Sequence, residues 1–208
     1  MTYFLYNDDV SSEVKFGDVI AIDTETMGLN INRDRLCLIQ LSSGDGIAHL
    51  VQISKKSLEK EENFPNLKKI FKNPNSTKLF HFARFDMAVI EKNICKLNGP
   101  IYCTKIASKL ARTYTDKHGL KEICKELINI EMSKQQQSSD WGKIELSKNQ
   151  MNYAANDVLY LHDLKDKLDA ILKREDRIEL AYSIFKFLPT RVKLDLMGWA
   201  NTDIFSHS

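Results

Sequence analysis

The chain has 208 residues, of which 43% are hydrophobic and 28% charged, and its formal net charge at pH 7 is +2. A chain of this length can bury a core without disulfides or a structural metal, and we expect one domain over residues 1–208. The small net charge argues against a protein that coats long nucleic acid through many phosphate contacts. It leaves short nucleic acids open as ligands.

The start of the chain and the spacing of its cysteines bear on where in the cell the protein is located. The first residues lack the pattern of a secretion signal, and no later segment resembles a membrane span. The four cysteines are far apart and form no Cys-x-x-Cys pair, which favours reduced thiols. We therefore expect a cytoplasmic protein without a membrane partner.

Short apolar strands and turns alternate in the first half of the chain. After an opening segment with no assigned element, the pattern predicts strands at 19–23, 36–42, 48–53, 78–81 and 101–103. It predicts helices at 64–71 and 82–90, between the later strands. A meander followed by strand-helix alternation indicates a mixed sheet.

The second half of the chain is predicted to be helical. Apolar spacing favours helices at 104–111, 120–127, 147–172 and 176–187. Pro189 is expected to end the last of them, because proline interrupts a helix. The C-terminal part, from about residue 147 to residue 208, is thus expected to pack as helices beside an α/β sheet.

Two carboxylates, Asp23 and Glu25, follow the apolar run of the first predicted strand. Side chains two residues apart point to the same side of a strand, so these groups share one side. Two neighbouring anions repel unless a cation lies between them, and carboxylate oxygens suit Mg²⁺ or Mn²⁺. The alternative is a solvated strand end, which this pair alone does not exclude.

Three further polar residues occur at helical positions. Asp86 falls in the first turns of a predicted helix, where the helix dipole alone would favour an acid. Tyr153 and Asp157 are one turn apart on a helix, so a phenol and a carboxylate can reach one site. Each signal is weak by itself, because such residues on helices commonly pack or face solvent.

In chain order, Asp23-x-Glu25, Asp86 and Tyr153-x-x-x-Asp157 resemble the three motifs of the DEDD 3′-5′ exonucleases, in the branch with a tyrosine. Segments 21–25, 35–41 and 153–161 look like ribonuclease D relatives. Segments 81–86, 102–110, 112–120 and 133–142 resemble the nanoRNase C family of stand-alone diribonucleases. The resemblance implies an α/β fold of the ribonuclease H-like type, a mixed β-sheet flanked by α-helices.

The same resemblance implies a two-metal site with two divalent cations, Mg²⁺ or Mn²⁺. Asp23, Glu25 and Asp157 would bind one ion, while Asp23 and Asp86 hold or orient the other. The sister branch carries a histidine where this chain has Asn152, so its role passes to the neighbouring tyrosine. A phenol with a pKa of about 10 is expected to position the attacking water, or to accept its proton.

Substrate contacts are expected along the same segments: Thr24, Thr26, Gly28, Leu29, His81, Arg112, Gln136 and Tyr153. Gly28 lets the backbone turn close to a ligand. Leu29 either inserts between two bases, as in similar oligoribonucleases, or is an ordinary turn-to-core leucine. Segments 112–118 and 134–137 offer polar groups for a 5′-phosphate or are solvated loops. Trp141 either packs beneath the site or stacks on a base, and packing is favoured.

The implied activity is hydrolysis of RNA dinucleotides, including linear di-GMP, to nucleoside 5′-monophosphates by a metal-dependent 3′-5′ exoribonuclease. A broader ribonuclease D-like exonuclease on longer RNA or DNA is the alternative. An inactive nucleic-acid-binding scaffold is disfavoured because all five site residues are present. The resemblance also implies a homo-oligomer, an octamer built from dimers. Trp199, Ile204 and Phe205 would contribute to assembly, or would pack within their own chain.

Overall fold

The computed structural model describes residues 2–60, 62–133, 135–136 and 138–207. Within these ranges, six strands form one sheet: β1 (Thr2–Asn7), β2 (Val19–Thr26), β3 (Leu36–Ser42), β4 (Ile47–Gln52), β5 (Thr77–Phe80) and β6 (Ile101–Cys103). Their order across the sheet is β1-β4-β3-β2-β5-β6. The β2–β3 and β3–β4 pairs are antiparallel and the others are parallel, so the predicted mixed sheet is confirmed.

Helices flank this sheet. They are α1 (Pro65–Lys72), α2 (Ala83–Asn93), α3 (Thr104–Ala111), α4 (Leu120–Ile128), α5 (Lys148–Leu159), α6 (Leu161–Arg174) and α7 (Ile178–Leu194). A 3₁₀ helix at Lys56–Glu59 precedes α1, and a π-helical turn at Asp195–Trp199 follows α7. None of the helices in the described ranges combines the length and apolar character needed to cross a bilayer.

Strand β1 is an element that the sequence pattern missed. Most of its side chains are exposed or half-buried, so the strand lacks the apolar alternation by which a strand is recognised. It lies at the sheet edge and runs parallel to β4, with Tyr3 opposite Ala48. A pairing between segments so far apart in the chain is not encoded in either segment alone.

Strand β2 extends to Thr26, three residues past the predicted end, so both of its acids lie inside the strand. On one side, β3 pairs with it along this stretch, with Leu38 opposite Glu25. On the other side, β5 pairs with β2 only from Val19 to Ala21. The backbone of β2 beyond Ala21 therefore has a free edge.

Two helix predictions were wrong at their boundaries. The predicted helix 147–172 is divided at Tyr160, whose φ of −103° and ψ of −1° separate α5 from α6. Neither glycine nor proline marks this break, so apolar spacing could not reveal it. Pro189 does not end the last helix, which continues to Leu194. Burial of Phe185, Leu188 and Val192 holds this stretch against the core despite the missing backbone donor.

Asp195 connects the C-terminal segment to α2. Its carboxylate accepts hydrogen bonds from Arg84 at 2.5 Å and from Arg191 at 2.5 Å. The Asp195 side chain is almost fully buried, whereas that of Arg84 is partly exposed. A buried carboxylate between two guanidiniums is stable only while both partners remain. These ion pairs therefore fix the π-helical turn against the helix that carries Asp86.

Asp195→Ala should lower the free energy of unfolding by about 2 kcal/mol, because it removes both ion pairs and leaves two guanidiniums facing a partly buried site. Urea denaturation would measure the change. Asp203→Ala is the control, since Asp203 is exposed and bonds only within the last turn. Equal stability of the two variants would contradict the anchoring role of Asp195.

Candidate active site

A cleft of about 630 Å³ opens along the free edge of β2. Its walls are formed by β2 and the turn that follows it, by the starts of α2, α3 and α4, and by α5. Ligand-binding clefts commonly have volumes of roughly 300–1,000 Å³. The cleft is therefore large enough for a small organic ligand, and all five residues of the predicted catalytic set line it.

Three carboxylates meet on one wall of the cleft. Asp23 and Glu25 point to the same side of β2, and α5 packs against this strand and its neighbours. This packing brings Asp157 to the pair, so that one oxygen from each carboxylate lies within 4.8 Å of the others. Hard oxygen donors at this spacing fit Mg²⁺ or Mn²⁺, the ions that the sequence predicted.

Asp86 reaches the cleft through the free edge of β2. Its Oδ1 accepts hydrogen bonds from the backbone nitrogen of Thr24 at 3.1 Å and from the Thr24 hydroxyl at 2.7 Å. Because β5 stops pairing at Ala21, this backbone N–H is available to a side chain instead of a strand. Asp86 lies close enough to Asp23 for their charges to interact, although it is outside the group of three.

The four carboxylates share an electrostatic cost. Burial raises the pKa of Asp23 to about 7. Burial also raises the pKa values of Glu25, Asp86 and Asp157 well above their usual range, and neighbouring carboxylates add to the effect. Ionisation of these carboxylates is therefore unfavourable in the folded protein, and a bound divalent cation would stabilise their charged forms.

Tyr153 is held as a neutral phenol. Burial, followed by the charges of Asp157 and Glu25, raises its pKa above the ordinary value, and its hydroxyl lies near the Asp157 carboxylate. Trp141 is only 2% exposed and its ring centroid lies 6.1 Å from that of Tyr153. Trp141 therefore packs beneath the site, as expected, and supports the tyrosine ring.

The turn after β2 supplies several of the predicted substrate contacts. Leu29 lines the cleft and is 85% exposed, which rules out the turn-to-core alternative. Thr26 lines it as well and donates a hydrogen bond to the Gly28 carbonyl at 2.5 Å. A Cβ atom on Gly28 would lie 2.4 Å from Asp34 Oδ2, so here glycine makes room for a side chain of the protein itself.

Arg112 is not brought into the cleft. Its side chain is fully buried, and its guanidinium donates to Glu126, to the Lys117 carbonyl at 2.7 Å and to the Ser108 hydroxyl at 3.0 Å. The predicted substrate contact is therefore replaced by a structural one, which fixes the loop before α4. Burial of an arginine cannot be deduced from a charged segment, because most such segments are solvated.

Gln136 also lies outside the cleft lining, although its carbonyl accepts a hydrogen bond from Ser139, which lines the cleft. Lys134 and Gln137, from the same predicted polar segment, fall outside the described residues. His81 does line the cleft, as predicted, and so does Thr24. The substrate roles of these residues stay predictions.

Sequence reasoning missed some cleft residues, chiefly Phe82, Lys105 and Lys121. Phe82 is 44% exposed and adopts a left-handed backbone with φ of 72°, which turns the chain from β5 into α2. The ammonium of Lys105 lies 4.3 Å from the centroid of its ring. An aromatic residue directly after a strand end was the available signal, since loops at strand ends often carry functional groups.

This fold and site define a class: nucleases in which acidic side chains on a mixed sheet and its helices gather around divalent cations. The family described as 3′-5′ exonuclease matches residues 7–173. The chain therefore belongs to the 3′-5′ exonuclease family, and the predicted ribonuclease H-like fold is confirmed.

Particular relatives narrow this class. The structure of Brucella melitensis NrnC bound to pGG is 52% identical over 100% of both chains, with a TM-score of 0.93. The structure of Brucella melitensis NrnC with bound Mg²⁺ is 51% identical over 100% of both chains, with a TM-score of 0.92. The predicted resemblance to the nanoRNase C family is thus confirmed.

Curated relatives are more distant and longer. Ribonuclease D of Acidiphilium cryptum is 29% identical over 160 residues, which cover 77% of this chain and 39% of that protein. The chain thus matches less than half the length of such relatives. Its likeness to them concerns the exonuclease part that it shares.

Asp157→Asn should stabilise the metal-free protein at pH 8. A carboxylate whose pKa is raised on folding destabilises the native state as pH rises from its unfolded value, about 4, through its folded value. Removing one charge should raise the free energy of unfolding by on the order of 1 kcal/mol at pH 8, and less at pH 5. Urea denaturation in a chelator would measure this change.

Asp163→Asn is the matched control, because Asp163 is exposed on α6, outside the lining of the cleft. Mg²⁺ should raise the melting temperature of the wild type and of this control more than that of Asp157→Asn. Destabilisation of metal-free Asp157→Asn at pH 8 would show that charge repulsion does not dominate the cluster.

Proposed function

We propose that the protein is a metal-dependent 3′-5′ exoribonuclease that hydrolyses RNA dinucleotides, including linear di-GMP, to nucleoside 5′-monophosphates at the end of RNA decay. The observation that carries this proposal is the meeting of Asp23, Glu25 and Asp157 in a cleft that Asp86 also lines. The similarity to an NrnC structure bound to pGG supports the dinucleotide as substrate.

The acids divide between two cation sites in this proposal. Asp23, Glu25 and Asp157 would hold one Mg²⁺ or Mn²⁺ ion, and Asp23 with Asp86 would hold or orient a second. When bound, such ions activate water and neutralise the charge that develops on a phosphodiester. The Mg²⁺-bound structure of the similar NrnC supports this choice of ion.

Tyr153 orients the attacking water in this scheme. A neutral phenol can donate one hydrogen bond and accept others, so it can fix the position of a water without taking its proton at neutral pH. Tyr153 and Asp157 line the same cleft, one helical turn apart, which supports this role. Hydrolysis then adds hydroxide to phosphorus and a proton to the departing 3′-oxygen.

Tyr153→Phe should lower the single-turnover rate of dinucleotide hydrolysis by about 100-fold, because the ring remains while the water loses its hydrogen-bond partner. Rapid-quench measurement of a 5′-labelled dinucleotide would give the rate. The shift of melting temperature with Mg²⁺ should stay close to the wild-type shift. An unchanged rate would refute the proposed role of the phenol.

The rim of the cleft offers an apolar surface to the bases. Leu29 is 85% exposed, Met27 59% and Phe82 44%, and all three line the cleft. Contacts of this kind do not distinguish between bases, because every base has an apolar face. Such a surface suits an enzyme that accepts dinucleotides of any sequence, with Leu29 inserted between the two bases.

Leu29→Ala should therefore raise the KM for dinucleotides by about tenfold, since burying a leucine side chain contributes about 1.5–3 kcal/mol. Steady-state kinetics on several dinucleotides would measure the change. Ile144→Ala is the matched control, because Ile144 is 93% exposed but lies outside the cleft lining. An unaltered KM in Leu29→Ala would exclude the wedge.

A broader exonuclease activity is the second candidate, favoured by the ribonuclease D relatives. Turnover of 5′-labelled dinucleotides, seven-nucleotide RNAs and duplex DNA should be compared under the same conditions. We expect the dinucleotides to be hydrolysed fastest. Faster turnover of the longer species would favour the second candidate, and RNA binding without hydrolysis in Mg²⁺ or Mn²⁺ would favour a scaffold.

Assembly into a homo-oligomer, an octamer built from dimers, is part of the proposal, as is a role for residues 147–208 in its contacts. Exposed apolar side chains in this part support it: Leu180, Tyr182, Phe187, Met197, Trp199, Ile204 and Phe205. The rings of Phe187 and Phe205 lie 6.2 Å apart, so part of this surface also packs within the chain.

The four free thiols are compatible with the cytoplasm, the proposed location.

A further inference from the structure

The ring of His81 is held by Thr104. Its Nδ1 lies 2.9 Å from the Thr104 hydroxyl oxygen, which in turn lies 3.2 Å from the Phe80 carbonyl oxygen. When the Thr104 hydroxyl donates to the carbonyl, which can only accept, the proton shared with the ring belongs to Nδ1. In this tautomer, Nδ1 donates to the Thr104 oxygen.

In this tautomer the other ring nitrogen is an acceptor. A neutral imidazole with its proton on Nδ1 has a lone pair on Nε2. Burial and the charge of Lys105 lower the pKa of His81 to about 3, so the ring stays neutral at physiological pH although Glu122 acts in the opposite direction. His81 lines the cleft, and its hydrogen bond within the described part of the chain is made by Nδ1, not by Nε2.

This state determines which substrate groups can bind. A lone pair on Nε2 accepts from hydroxyl and N–H groups, whereas the ionised oxygens of a phosphodiester can only accept. The N–H groups of bases differ in position from one base to another. A ribose 2′-hydroxyl is present on every RNA nucleotide and absent from DNA, whatever the base.

We propose that Nε2 of His81 accepts a hydrogen bond from a ribose 2′-hydroxyl of the dinucleotide and thereby selects ribose over deoxyribose. This inference rests on the proposed function and deepens it, since it assigns a residue to the recognition of RNA. Thr104 is a positioning residue in this arrangement, because its hydroxyl holds the imidazole in the required tautomer. A substrate without the 2′-hydroxyl leaves the acceptor unpaired.

Wild-type enzyme provides the first test. Dinucleotides would carry hydrogen or fluorine in place of each 2′-hydroxyl in turn, since neither substituent can donate a hydrogen bond. We expect both replacements at one of the two riboses to lower kcat/KM by about tenfold, the effect of one lost hydrogen bond to an unpaired acceptor. Equal kcat/KM for all these substrates would overturn the inference, while hydrolysis of the RNA dinucleotide would leave the proposed function standing.

Variants of His81 provide the second test. His81→Phe keeps a flat ring without an acceptor and should lower kcat/KM about tenfold for the RNA dinucleotide but not for the sensitive 2′-fluoro analogue. His81→Gln offers an amide oxygen and should recover part of the preference. Equal losses on both substrates, or a loss that depends on the base, would overturn the assignment.

Variants of Thr104 test the tautomer. Thr104→Val removes the hydroxyl and should reduce the preference for ribose, whereas Thr104→Ser keeps the hydroxyl and should preserve it. A preserved preference in Thr104→Val would refute the positioning role. If His81→Phe does not fold, the modified substrates with wild-type enzyme still decide the main question. Failure of the wild type to hydrolyse any RNA dinucleotide would overturn the proposed function and this inference together.

Discussion

The hydrogen bonds from Thr24 to Asp86 are the interaction on which the site depends. They occupy a backbone position where β2 would otherwise pair with a neighbouring strand, because β5 stops pairing at Ala21. If β2 were shorter, the cleft would lose the part of its wall that carries Glu25. If β5 were longer, it would pair with β2 beyond Ala21 and occupy the free backbone edge of β2. The difference in length between two parallel neighbours thus creates the cleft and places a helix-borne acid in it.

The carboxylates of the site oppose the folding that assembles them. Neighbouring apolar groups exclude water from these acids, and their pKa values rise as a result. Such an arrangement persists because a large surrounding core supports it, including the fully buried β3 behind the site. Functional sites are often less stable than the rest of a protein, because the arrangement that activity requires is not the most stable one.

Much of this site could be predicted from the sequence, for a physical reason. The acids of β2 are two residues apart on a strand, and Tyr153 and Asp157 are one turn apart on a helix, so local geometry already groups each pair. What local spacing does not encode is the long-range environment. Burial of Arg112 against Glu126, the edge strand β1, the helix break at Tyr160 and the left-handed Phe82 all depend on contacts between distant segments.

The ion pair between Arg84 and Asp195 joins a helix of the active site to the C-terminal turn. Arg84 lies two residues before Asp86 on α2, while Asp195 begins the exposed C-terminal turn. A partner that binds this turn and a ligand that binds the cleft would therefore act on the same helix. By thermodynamic linkage, whatever free energy the first event adds to the second, the second adds to the first. If association through the C-terminal turn strengthens ligand binding in the cleft, ligand binding must strengthen that association by the same factor.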